Sequence, residues 1–121
     1  MKLYHITDIS NLYSIIENGL SPEKSRENHF HDRLVYLGCD ELHVKGYIDH
    51  HNNWSKNGYV LFSIDINNLD LSSIVPDDID LPDMTDEPNA SWVESLEICG
   101  QCGYMDTIPF YMLEILEIHE N

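Results

Sequence analysis

Residues 59–66, YVLFSIDI, constrain this chain more than any other stretch. Aromatic and β-branched side chains fill the first half, and apolar and polar residues alternate in the second, which is the pattern of a β-strand. A strand needs partners, and the other apolar runs are short. KLYHI (2–6), LVYL (34–37), WVESLEI (92–98) and CGQCGYM (99–105) all read as strands. Two amphipathic helices lie between them. In the first, Ile9, Leu12, Ile15, Ile16 and Leu20 fall near 3.6-residue spacing behind Thr7 or Asp8 as a cap, and Gly19 and Pro22 end the helix. Asp40 caps the second, at about residues 41–51, with Leu42, Tyr47 and Ile48 facing inward. NNLDLSSI (67–74) reads as a turn and a short strand, while YMLEILEI (111–118) suits helix or strand. Residues 76–90 hold Pro76, Pro82 and Pro88 among six acids and no base, and read as an irregular, solvated excursion. The mixed order predicts one α+β domain over residues 1–121 with an antiparallel-rich sheet.

Charge narrows the partners. Six Lys and Arg residues stand against 22 acids, a formal net charge of −16. Every basic residue lies at or before Lys56, and the part from residue 57 onward carries 14 acids and none. Such a field repels phosphate backbones, so a nucleic-acid partner is disfavoured and a protein with a basic face is favoured. No apolar run approaches the roughly 18 residues of a membrane span. The first residues lack the apolar core of a leader, and three cysteines, an odd number, suggest reduced thiols, so a cytoplasmic location is expected.

Cys99 and Cys102 form a single CGQC with no second pair, which falls short of a zinc site. His43, His50 and His51 lie on or after the second helix without ligand spacing, so no metal is expected there. His29 and His31 sit in the polar loop 21–33. Trp92 reads as a core anchor and Trp54 as a turn residue at the surface. The acids of 77–87 read as solvated, or as a mimic of a phosphate backbone for a basic partner.

A histidine inside KLYHI is unusual for a core strand, and its surroundings explain it. A strand, His5-x-Thr7, a polar cap, one helix ending ENGL-SP, a loop, the strand VYL and the closing GYMDTIPFYMLEIL follow in order. This order resembles the ADP-ribosyltransferase superfamily, in particular its DarT-like branch and the RNA 2′-phosphotransferases. The resemblance implies an ADP-ribosyltransferase-like fold of split β-sheets with two or three short helices, and NAD as substrate. It implies that His5 bonds a ribose hydroxyl, that the Ile6 backbone meets the nicotinamide amide, that Thr7 steadies the turn and that Tyr36 stacks on nicotinamide. The place of the usual catalytic glutamate, counted back from Ile108-Pro109, falls on Gln101, with Glu97 the competing candidate. A glutamine makes the hydrogen bond but supplies neither charge nor base. The expected function is transfer of ADP-ribose from NAD to a macromolecule, a protein rather than a nucleic acid, in the manner of a toxin or a phage anti-defence effector. The alternative is a non-catalytic acidic inhibitor that covers the basic surface of a nucleic-acid-binding protein.

Overall fold

The computed structural model describes residues 1–22, 34–47, 57–86 and 89–120. Six strands form one mixed α+β layer: β1 (Lys2–Asp8), β2 (Val35–Gly38), β3 (Gly58–Asp65), β4 (Ile74–Pro76), β5 (Gln101–Tyr104) and β6 (Leu113–Glu120), in the spatial order β4-β5-β2-β1-β3-β6. Every neighbouring pair is antiparallel. The YVLFSIDI segment is β3, held between β1 and β6, and Val60, Phe62 and Ile64 are completely buried. Full burial of one such side chain contributes roughly 1.5–3 kcal/mol.

The sheet is nearly divided in two. β1 and β3 stay paired from Lys2↔Asp65 to Asp8↔Tyr59, and β2 pairs β5 from Val35↔Tyr104 to Gly38↔Gln101. Among the described residues the halves β4-β5-β2 and β1-β3-β6 share a single ladder pair, Tyr4↔Gly38. One face carries the larger core, with Leu3, Phe62, Leu37 and Cys102 packed under Ile15, Leu20, Leu96 and Ile108. On the other face Ile6 and Leu61 meet Val44, ringed by Tyr4, Tyr47 and Tyr59.

Among the described residues four short helices accompany the sheet: α1 (Leu12–Asn18), α2 (Glu41–Lys45), α3 (Leu81–Met84) and α4 (Trp92–Cys99). The Asp8 carboxylate caps a 3₁₀ turn at Ile9–Asn11 that leads into α1, and Asp40 caps α2 through the His43 amide at 2.7 Å. Within α1, Ile15 is buried and Ile16 is exposed. On α2 the inward residue is Val44, and Leu42, expected to face inward, is 83% exposed. Ile48 lies outside the described residues.

Three expectations change. Residues 92–98 form helix α4 instead of a strand. Ser91 and Glu94 make a reciprocal cap, and Leu96 and Cys99 then fall on one buried face, so local capping outweighs the apparent alternation. The 76–90 excursion is not simply solvated, because Asp77 is 3% exposed and α3 follows it. Residues 111–118, read as helix or strand, begin with a 3₁₀ turn at Phe110–Met112 and continue as β6. Trp92 is half-buried against the larger core as expected, whereas Trp54, His29, His31, His50 and His51 lie outside the described residues. Among the described residues no helix is long and apolar enough to cross a membrane.

Candidate functional site

The three sequence motifs land on contiguous strands: His5 on β1, Tyr36 on β2 and Gln101 at the first position of β5. Tyr4↔Gly38 is the single ladder pair between β1 and β2, so His5 stands beside the narrowest junction of the sheet. Opposite Phe62 in the β1–β3 ladder, His5 belongs to the face of the larger core. Its ring nevertheless reaches the neighbouring strand, with Nδ1 2.8 Å from the main-chain oxygen of Tyr36. A carbonyl only accepts, so Nδ1 carries the proton, and in the neutral ring Nε2 is an acceptor.

Burial holds the His5 pKa below its ordinary value, against the smaller upward pull of the Tyr36 carbonyl. The unfolded chain therefore takes up this proton first as pH falls. The stability tied to neutral His5 is complete above the ordinary value of 6.5 and is lost as pH drops below it. Urea unfolding at about pH 7.5 and about pH 5.5 should show a larger loss for the wild type than for His5→Gln. Equal losses would mean that His5 titrates as it does in the unfolded chain.

Tyr36 and Gln101 occupy the opposite face, because Tyr36 pairs with Gly103, two residues beyond Gln101 on β5. There a polar network joins α2 to the turn after β4. Tyr47 donates its hydroxyl proton to Gln101 Oε1 and therefore accepts from His43 Nε2 at 2.9 Å. The Gln101 amide nitrogen donates to Asp77 Oδ1 at 2.7 Å and Asp80 Oδ2 at 3.2 Å. Asp77 Oδ2 accepts the amides of Ile79, Asp80 and Leu81, at 3.2, 2.5 and 2.9 Å. Behind it, Ser95 Oγ accepts from the Asp77 amide at 2.9 Å and donates to the Gln101 carbonyl at 2.6 Å. Tyr36 donates to Asp78 Oδ1 at 2.7 Å, so the same turn also holds the β2 phenol. Burial, and after it the Asp80 and Asp77 charges, raises the Tyr47 pKa, and the phenol stays a donor.

Gln101 is 5% exposed, and all its amide groups are used. It works as a neutral bridge between a phenol and two carboxylates. Glu97 lies on the exposed side of α4 and makes no hydrogen bond or ion pair among the described residues. Ile6 is buried in the smaller core, and Thr7 Oγ1 accepts from the Asn11 amide at 2.9 Å, which ties the end of β1 to the turn entering α1. Tyr36 and Gln101 are thus brought together, His5 meets them only through the Tyr36 main chain, and Glu97 stands apart. Sequence reasoning missed the roles of His43, Tyr47 and Asp77. The Asp40 cap, which places His43 and Tyr47 four residues apart on one helical face, was the available signal.

Cys99 Sγ, at the end of α4, lies 3.3 Å from the Ser95 carbonyl, whereas Cys102, on β5, points into the larger core. Burial raises both thiol pKa values, that of Cys102 to about 12. Neither is a thiolate near neutral pH. Comparison with protein-family models and with curated proteins returned no match.

Proposed function

We propose that this chain is an ADP-ribosyltransferase-like domain that takes NAD at the narrow junction of β1 and β2 and transfers ADP-ribose to a protein with a basic face. One observation carries the reading: the segments that resemble the superfamily lie on three contiguous strands, and the one β1–β2 ladder pair, Tyr4↔Gly38, adjoins His5. Neutral His5, with Nδ1–H held by Tyr36, offers Nε2 as an acceptor for a ribose hydroxyl. Loss of nicotinamide leaves positive charge on the ribose. Gln101 brings no charge of its own, but Asp77, Asp78 and Asp80, each one hydrogen bond behind Tyr36 or Gln101, favour that cation. The same acids repel the diphosphate of NAD, which is therefore placed on the His5 side of the junction. An acidic chain of this size suits a toxin or a phage anti-defence effector acting in the cytoplasm.

Calorimetric titration with NAD tests the binding step. Heat is expected for the wild type, with at least ten-fold weaker binding for His5→Ala; a wild type that gives no heat overturns the reading. Incubation of the protein with labelled NAD and cell lysate then tests transfer, with labelled protein expected and labelled nucleic acid not.

The full use of the Gln101 amide favours a second reading, in which the domain is a non-catalytic acidic inhibitor on the basic surface of a nucleic-acid-binding protein. NAD binding without any labelled product would favour it.

A further inference from the structure

An eight-residue edge strand is the feature of this molecule that the NAD reading leaves unused. Among the described residues β6 pairs with β3 alone, and it forms one margin of the sheet. Edge strands are commonly kept apart by uncompensated charges. Here two of the three acids of the strand, Glu114 and Glu117, are paired with lysines. Lys2 Nζ lies 3.3 Å from Glu114 and Lys45 Nζ 3.3 Å from Glu117, and the Tyr59 hydroxyl donates to Glu117. Lys2 and Lys45 are the only Lys or Arg among the described residues, so both serve this strand in a chain of net charge −16. Beside them Ile115, Leu116 and Ile118 are 38%, 37% and 47% exposed.

We propose that β6 pairs antiparallel with β6 of a second copy of this chain and so joins the two sheets across a two-fold axis. The residue pattern identifies the occupant. Leu116 is the extra residue of the bulge where the ladder shifts from Glu117↔Leu61 to Ile115↔Phe62, and from Glu117 to Glu120 the strand is regular. A two-fold axis through Ile118 sets that side chain against its own copy. It also sets Glu117 opposite His119 of the second copy, twice. Glu117 and His119 share the face of Leu61 and Tyr59 on β3, so each cross-pair is side by side and of complementary kind. At the centre the apolar residue pairs with an apolar residue and the acid with an imidazole, and outside these the register sets Glu120 opposite Leu116, the bulge residue.

Two chains of this charge repel, and a Debye length of about 8 Å at physiological ionic strength screens that repulsion. Association should therefore tighten as salt is added, the reverse of an acidic protein binding a basic partner. Sedimentation of the full chain over a wide concentration range, at low and high salt, should show a monomer–dimer equilibrium that shifts toward dimer in high salt. Ile118→Lys should weaken it at least ten-fold. Because Ile118 packs near Val60, a second variant guards against misfolding: His119→Glu, at an exposed ring stacked on Tyr59, sets acid against acid and should weaken the dimer with an unchanged far-ultraviolet circular dichroism spectrum. Ile118→Cys should form a disulfide with its own copy under mild oxidation. A wild type that stays monomeric at every salt concentration, or a dimer indifferent to both Ile118→Lys and His119→Glu, overturns the proposal. Capture of a lysine-rich extended peptide by β6 with no dimer would assign the edge to a foreign strand and overturn it equally. None of these outcomes depends on NAD.

Discussion

Gln101→Glu is expected to destabilise the fold by about 3 kcal/mol at neutral pH, measured as a shift of the urea midpoint at unchanged slope. The substitution looks mild, since it exchanges one amide nitrogen for an oxygen. That nitrogen is the donor to Asp77 and Asp80, and Asp77 is buried. A carboxylate there would face two others with no proton between them. Its pKa in the folded chain would rise above the ordinary glutamate value, so its compatible form, the neutral acid, prevails at low pH. The loss of stability should then be small near about pH 4 and grow as pH rises through the elevated pKa. Wild-type stability of Gln101→Glu at neutral pH would show that the amide does not bridge the acids. The same geometry explains why glutamine occupies the place where the resemblance calls for glutamate: Asp77 and Asp80 leave room for a donor only.

Gly19→Ala is expected to destabilise by about 2–4 kcal/mol, a larger effect than a helix-end substitution usually has. Two causes add. Gly19 has φ of 76°, and a β-carbon on it would lie 2.3 Å from the Ile108 oxygen and 3.0 Å from the Ile108 carbon. These are main-chain atoms, held in place by reciprocal Leu20–Ile108 hydrogen bonds of 2.9 Å, and cannot turn aside as a side chain would. Leu20 and Ile108 are both in the larger core, so relief of the clash opens that core. Thermal unfolding of the variant beside Gly46→Ala, where nothing lies within 4 Å of the added carbon, separates close approach from general glycine effects. Equal midpoints for the two variants would refute the clash.

The strands at residues 2–6, 34–37 and 59–66 were legible because their patterns are local: β-branched and aromatic runs bounded by turn residues. Asp8 and Asp40 were legible as caps for the same reason, since a carboxylate before a helix satisfies amides two or three residues away. Helix α4 was misread although its Ser91–Glu94 cap was in plain view, because seven residues of apolar alternation fit a strand and a helix alike. In the site, His5, Tyr36 and Gln101 could be picked out by order and spacing. Their orientation could not, since the side of a strand that a residue takes depends on the register with its neighbours. The Asp77 network was illegible for a similar reason. Six acids in a proline-rich stretch look solvated, and only Gln101, 24 residues away, brings a donor to the buried Asp77 carboxylate, while Ser95, 18 residues away, accepts from the Asp77 amide.

By itself, then, the amino-acid sequence determined a strand-rich α+β chain with a second half free of Lys and Arg and a histidine in its first strand, which runs on past the expected end at Ile6 to Asp8. These properties follow from neighbours within a turn or a strand length, where sterics and local hydrogen bonds decide. Tertiary structure alone decided that β1 and β2 share one ladder pair at Tyr4, that Gln101 serves as a bridge between acids, and that both described lysines pair with acids of β6. Each of these depends on contacts between residues far apart in the chain, and their free energy comes from burial and pairing that no local window contains.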